Sequence, residues 1–325
     1  MSSPEYSMIH VEGLTKLYGN RVGVAGVSFD VDEGKVAGLL GPNGAGKSTI
    51  MKLLTGYLAP DSGQVTIGDV DVVLDYRAAA SKIGYAPEIP PLFPDMTVHD
   101  YLYFVADLKG IKKSDRITHI NTVMEMSRIV DVGRRLIKNL SKGYKQRVGI
   151  AQALIAFPPV LILDEPASGL DPTQIAQLRE LLRSLAGKHT IILSSHILAE
   201  IGSLCEEVIV INNGRVAAQE KINNDQDKGS TFLLVLRTND RDKALACAGS
   251  VPGVAEALPV SSDSETFSIK VQFNPGKKGA AENTIAARTA LFHALSVAKL
   301  PILELVRERE NLEDLYMRVT VGASQ

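Results

Sequence analysis

The segment 41-GPNGAGKST-49 constrains this chain more than any other. It has the spacing G-x-x-x-x-G-K-[ST], follows the apolar run 36-VAGLL-40 and leads into 47-KSTIMKLLTG-56, whose apolar residues recur at helical spacing until Gly56. A strand, a glycine loop and a helix in that order make a phosphate cradle. Gly41, Pro42, Asn43, Gly44, Ala45 and Gly46 let the backbone wind so that amide N–H groups and the helix N-terminus face negative charge. Lys47 adds a cation at the β- and γ-phosphates, Ser48 offers a hydroxyl to Mg²⁺, and Thr49 completes the motif. A glycine-rich turn without a ligand is the plain alternative, and the flanking strand and helix count against it.

A second acidic signal completes the chemistry. The run 160-VLIL-163 leads into Asp164-Glu165-Pro166. If this strand shares a sheet with 36-VAGLL-40, both carboxylates lie at the carboxyl edge, where open α/β sheets bind ligands. Side chains alternate along a strand, so the two carboxylates are expected to point in different directions. Asp164 suits a water-mediated Mg²⁺ ligand and Glu165 a base or orienter for an attacking water. Alone, the pair reads equally well as a solvated strand end.

Around these motifs the chain has a clear order. Short β-branched runs open it (8-MIHVEGL-14, 22-VGVAGVSFDV-31), and 60-PDSGQVTIGDV-70 reads as a turn and a strand. Residues 95–157 are helical in pattern: Thr97 and Asp100 stand at capping spacing before 101-YLYFVADLKG-110, a second segment covers roughly 115 to 130, and a third follows Gly143. The strands 160-VLIL-163 and 190-TIILSS-195 flank the helical 173-TQIAQLRELLRSLAG-187, as expected of a helix-covered parallel sheet. The segment 207-EVIVINNGRVAA-218 is expected to turn as a hairpin at Asn213-Gly214. Residues 220-EKINNDQDKGS-230 lack apolar periodicity and read as a linker. Beyond it, strands at 232–237, 254–260, 266–273 and 302–308 and helices at 239–249 and 281–298 give β-α-β-β-α-β, a ferredoxin-like order, with a last helix at 311–319.

Composition narrows the partners. With 35 Lys+Arg against 37 Asp+Glu there is no basic surplus for nucleic acid. The two cysteines, Cys205 and Cys247, have no neighbours at metal spacing and read as free thiols. The opening MSSPEYSMIH has neither a cationic end nor an apolar run, so no signal peptide is expected. The most apolar stretch, 148-VGIAQALIAFPPVLIL-163, is broken by Gln152 and Pro158-Pro159 and is too short to span a membrane.

In this order the motifs resemble those of ABC transporter nucleotide-binding subunits, and the resemblance covers about residues 8 to 218. It implies a P-loop NTPase α/β fold with an antiparallel β subdomain and a helical insertion, to which the pattern beyond the linker adds a small C-terminal α+β domain. The expected boundaries are 1–219 for the ATPase, 220–230 for the linker and 231–325 for the accessory domain. The family's serine-glycine signature stands here as 140-LSKGYKQR-147, with Lys142 in place of the first Gly and Tyr144 in place of Gln. The resemblance implies that Ser141 and Gly143 contact ATP held by the opposite subunit, so that one chain carries two half-sites. By residue type alone, Leu140-Ser141 is a helix cap. In 168-SGLDP-172, Asp171 matches the acidic member of the loop that crosses the dimer interface. His196 matches the switch histidine and Tyr18 the aromatic that stacks on adenine, although a lone His after a strand and a lone Tyr are ordinarily structural. In 83-IGYAPE-88 most of the family has Gln where this chain has Glu88, which keeps an oxygen ligand for Mg²⁺.

The expected function is an ATPase that pairs with itself or a close homologue around two Mg·ATP and powers a separate membrane permease, an exporter. It is expected in the cytoplasm, on the inner face of the membrane. An importer ATPase with a metabolite-sensing C-terminal domain and a soluble ABC ATPase acting on ribosomes or DNA are the alternatives. The signature and Glu88 disfavour the first. The charge balance disfavours the second.

Overall fold

The computed structural model describes residues 7–222, 231–262, 266–273, 280–307 and 316. The described residues divide into two compact units, one covering residues 7–222 and taking in Tyr316, the other lying within Asn223–Leu315.

The first unit begins with β1 (Ser7–Tyr18) and β2 (Arg21–Asp32), which pair antiparallel, and continues with β3 (Val36–Leu40) and helix α1 (Lys47–Leu54). Next come β4 (Ser62–Ile67), β5 (Val70–Asp71), α2 (Tyr76–Lys82) and β6 (Ile83–Ala86). The helical block holds α3 (Val98–Leu108), α4 (Arg116–Met126) and α5 (Lys142–Leu154), with two 3₁₀ turns, Val130–Val132 and Ile137–Asn139, before α5. Then β7 (Val160–Leu163), α6 (Pro172–Leu185), β8 (Thr190–Ser195), α7 (Leu198–Leu204), β9 (Glu207–Asn212) and β10 (Arg215–Lys221) complete the unit.

Two sheets form from these strands. One has the order β2-β1-β4-β5, the other β10-β9-β3-β8-β7-β6. In the second, the pairings β9/β3, β3/β8, β8/β7 and β7/β6 are all parallel, and only the β9–β10 hairpin is antiparallel. Parallel strands are covered on both faces, which is why β3, β7 and β8 are buried at every position and read as unbroken apolar or small runs. Ile162, Ile192 and Ile209 contribute the sheet's side of a core closed by Ile50, Met51 and Leu54 of α1. Each such side chain removed from water is worth about 1.5–3 kcal/mol. Gly84 on β6 has no room for a side chain, since a Cβ there would lie 2.1 Å from the Ala153 carbonyl oxygen.

Three features sharpen the sequence reading. The hairpin turn holds Asn213 and Gly214 at φ 49° and 74°, the pair of left-handed residues that a two-residue hairpin requires, and β10 runs on to Lys221, past residue 219. Thr97 caps α3 by accepting from the Asp100 N–H at 3.1 Å while its hydroxyl donates to the Asp100 carboxylate at 2.7 Å. The short elements β5, α2, β6 and α7 had no expectation attached to them. Among the described residues no helix is long and apolar enough to cross a membrane. Cys205 and Cys247 are both free thiols, and burial pushes the Cys205 thiol far up.

The second unit has β11 (Thr231–Arg237), α8 (Arg241–Gly249), β12 (Val254–Ser262), β13 (Thr266–Phe273), α9 (Ala280–Val297) and β14 (Ile302–Arg307). Its sheet order β12-β13-β11-β14, antiparallel throughout, is that of a split β-α-β unit. Its own core joins Phe232, Leu234, Ile269 and Phe273 to Leu291 and Leu295 of α9. The helix expected at 311–319 lies, apart from Tyr316, outside the described residues, as does most of the 220–230 linker.

Candidate functional site

The glycine loop leaves β3 at the carboxyl edge of the parallel sheet and turns directly into α1. Gly41 is forced by packing, because a Cβ there would sit 2.3 Å from the Ile211 carbonyl oxygen. Gly46 caps α1 with φ 111°, a left-handed backbone that turns the first N–H groups of the helix toward the loop. These features make a cradle for an anion of phosphate type, with no other residue able to take the two glycine positions.

A cavity of about 430 Å³ opens over this loop, lined by Val22, Gly23, Asn43, Gly44, Gly46, Lys47, Ser48, Thr49, Glu88, Glu165 and His196. Four separate parts of the chain supply its polar groups. Lys47 is 6% exposed; its Nζ donates to the Gly41 carbonyl at 2.8 Å and lies 3.5 Å from Glu165 Oε1. The other carboxylate oxygen of Glu165 is 2.8 Å from His196 Nδ1, so one carboxylate bridges a buried ammonium and an exposed imidazole. Glu165 stands at φ 46°, a left-handed conformation that costs a non-glycine residue about 1–2 kcal/mol. That turn at the strand end swings its carboxylate over the loop.

Asp164, one residue earlier, is buried and does not line the cavity. It accepts from Ser194 Oγ at 2.6 Å, and the same Ser194 oxygen receives the Glu165 N–H at 2.7 Å. Ser194 therefore fixes both acidic residues, a role that its place in 190-TIILSS-195 did not disclose. The partnership depends on β8 lying beside β7, with Leu163 opposite Leu193. Tyr85 of β6 is half-buried, and burial, then the Asp164 charge, push its phenol up to about 12.

The other expected site residues fall in two places. Tyr18 is 48% exposed and packs against Gly23, at the margin of the cavity. Gly41, Pro42 and Ala45 do not line the cavity, and the Gly41 and Pro42 carbonyls accept from Lys47 Nζ. Ser141, Gly143 and Asp171 do not line the cavity. Ser141 is the N-cap of α5 and Asp171 the N-cap of α6, where Asp171 and Gln174 form a reciprocal capping box. The oxygens of Ser48 and Glu88, both lining the cavity, form a donor set of the kind a hard divalent cation takes. Among the described residues there is no cluster of three or more His, Cys, Asp or Glu side chains placed to hold a metal ion by themselves.

Residues 24–168 match the ABC transporter family. The chain is 30% identical to the ABC transporter ATP-binding protein YxlF of Bacillus subtilis over 96% of its own length and 99% of that protein's. It is 34% identical to the bacitracin transport ATP-binding protein BcrA of Bacillus licheniformis, over 74% of this chain and 78% of that one. With the lantibiotic transport ATP-binding protein SrtF of Streptococcus pyogenes it shares 36% identity over 69% of this chain and 96% of that one. Among solved structures, cbiO1 of Clostridium perfringens, part of the ABC transporter complex cbiONQ, superposes with a TM-score of 0.62 at 29% identity, covering 67% of this chain and 90% of that one. A phosphate cradle carrying a buried lysine, a glutamate poised beside it, and a relative matched from end to end lead to one conclusion: the chain belongs to the ATP-binding proteins of ABC transporters and is an ATPase.

Proposed function

We propose that this chain works as half of a composite ATPase that closes around two Mg·ATP and drives a separate membrane permease in export. The observation that carries this reading is the separation within one chain of two phosphate-binding features. The cradle and its catalytic carboxylate line one cavity, while Ser141 and Gly143 at the start of α5 and Asp171 at the start of α6 stand outside it. A helix N-terminus with a serine cap suits a γ-phosphate, and it has none to bind in its own chain. A second copy facing the first supplies one.

In this reading the loop amides and Lys47 bind the β- and γ-phosphates, and Tyr18 stacks on the adenine. Ser48 and Glu88 would hold Mg²⁺, and Asp164 would act on it through water. When bound, the ion neutralises charge on the phosphate oxygens. Glu165 accepts the proton of the attacking water, and His196, hydrogen-bonded to it, holds that water against the γ-phosphate. The second unit, within Asn223–Leu315, serves as an accessory domain. A Nod factor export ATP-binding protein of Ralstonia nicotianae, 37% identical over 66% of this chain and 67% of that one, supports export as the direction.

Complementation tests the shared site. A Lys47→Ala chain and a Ser141→Ala chain should each lack turnover, and their mixture should recover it, because the heterodimer holds one intact composite site. No recovery in a mixture shown to form heterodimers would refute the reading. Co-purification of a tagged chain with an integral-membrane subunit tests the permease partner, and a chain that purifies free of any membrane protein would count against it.

A further inference from the structure

The helix that starts at Ser141 and the connection that leads into it are tied to the helix that starts at Asp171 by three rungs, two from the helix and one from the connection. In the first, the backbone of Gly143 lies against Gln174, so closely that a Cβ on Gly143 would fall 2.8 Å from the Gln174 side-chain carbon Cδ. Gln174 is also the residue that closes the capping box on Asp171. In the second, one helical turn further on, the Arg147 guanidinium donates to the Gln177 side-chain oxygen. In the third, Arg128 forms an ion pair with Glu180 at 2.6 Å. Gln174, Gln177 and Glu180 follow at spacings of three and so share one face of α6.

Arg147 is the junction of this ladder. It donates to the carbonyl of Arg128 at 3.4 Å, and its guanidinium lies 5.5 Å from the centre of the Tyr144 ring. Arg128 itself stands at φ 53°, which turns its carbonyl toward α5. Tyr144 is in turn fixed by donating its hydroxyl to Asp131 at 2.6 Å, a bond that holds the phenol above the usual tyrosine range. One side chain thus joins the α4–α5 connection, the first turn of α5 and the first turns of α6. A planar fork holds its donors in fixed directions and can lay a flat face on a ring, whereas an ammonium is a compact point charge without that geometry.

We propose that Arg147 is a positioning residue for hydrolysis. It sets the spacing between the Ser141–Gly143 turn, which faces a partner's nucleotide, and the loop from Glu165 to Asp171, which serves the chain's own. This rests on the shared-site reading above. Nucleotide binding to the cradle does not depend on it, because none of the cavity-lining residues belongs to the ladder.

The test uses the full chain with Arg147→Ala, Arg147→Lys, Gln177→Ala and the Arg147→Ala/Gln177→Ala double variant. Steady-state ATPase is measured together with titration of a fluorescent ATP analogue and thermal melting. For Arg147→Ala, kcat should fall about tenfold or more while analogue affinity stays within about twofold of the wild type. Arg147→Lys should recover only part of the loss, and the double variant should be no slower than Arg147→Ala, since the two residues act through one bond. An unchanged kcat, losses that multiply in the double variant, or a loss matched by weaker analogue binding would each overturn the proposal. If Arg147→Ala does not fold, Gln177→Ala carries the same expectation at smaller size. Ser141→Ala separates the two readings: retained turnover there refutes the shared site itself, whereas lost turnover there with an unaffected Arg147→Ala refutes the ladder alone.

Discussion

Replacing Glu165 with Gln removes one negative charge from the cradle and leaves its shape. The backbone N–H still reaches Ser194 and the left-handed turn at φ 46° is kept, so the variant should fold, with a melting temperature lowered only by the loss of the Lys47 ion pair. The charge itself matters in two opposite ways. In the free site Glu165 lies 3.5 Å from Lys47, and its side chain is 12% exposed. Coulomb attraction at that separation is about 5 kcal/mol at an effective dielectric of about 20, before screening and desolvation. The net worth of a charged hydrogen bond is smaller, about 1.5–3 kcal/mol. An incoming γ-phosphate competes with Glu165 for Lys47 and is repelled by the carboxylate as well. Relief of both should tighten ATP binding about tenfold, since each factor of ten is about 1.4 kcal/mol. Turnover should move the other way. An amide cannot take a proton from water, and loss of a positioned base costs about 10²–10⁴ in rate, or about 3–5.5 kcal/mol of barrier. Equilibrium titration with a fluorescent ATP analogue gives the first number and steady-state phosphate release the second. Turnover within about tenfold of the wild type, or weaker nucleotide binding, would refute this account of Glu165.

Three further outcomes are expected. Gly41→Ala should cost at least about 1–3 kcal/mol in denaturant unfolding and abolish nucleotide binding, because its methyl meets the Ile211 carbonyl at 2.3 Å; a folded variant with normal affinity would show that β9 yields easily. Phe273→Ala, at a fully buried ring packed edge-on to Phe232 at 5.5 Å, should destabilise the second unit by about 3–5 kcal/mol. Calorimetry of the full chain should show that loss as a shifted transition, and an unmoved thermogram would contradict the packing. His119 accepts the Ala156 N–H at its Nε2 at 3.1 Å, and burial lowers its pKa below 6.5. As pH falls the unfolded chain therefore binds the proton first. The stability from His119 is complete above about pH 6.5 and is lost as pH drops through the folded value. The stability advantage of the wild type over His119→Leu should shrink between about pH 7 and pH 5, and a constant difference would rule out a neutral acceptor.

Much of the first unit was legible because its decisive signals are contiguous. The glycine loop, the acidic strand end and the Asn213-Gly214 turn each carry their geometry in a few adjacent residues, so backbone sterics alone favour one local form. The elements left unforeseen are short. A four-residue strand such as 83-IGYA-86 or a seven-residue helix such as 198-LAEIGSL-204 shows too little periodicity to be read and is too short to hold by itself. Each exists because the sheet and its covering helices supply the contacts.

The motifs named a phosphate cradle, a cation and a base, but left His196, Tyr18 and Ser141 open between structural and functional roles. Tertiary structure decided among placements that no spacing encodes. It brought His196 to 2.8 Å from Glu165, set Tyr18 at the margin of the cavity beside Gly23, and left Ser141 capping a helix outside it. It also produced Ser194, whose hydroxyl organises both acidic residues only because β8 lies in register beside β7. Local sequence sets what a residue can do chemically. Strand order decides which residues, far apart in the chain, come within a hydrogen bond of one another, since pairing in a parallel sheet always joins distant segments.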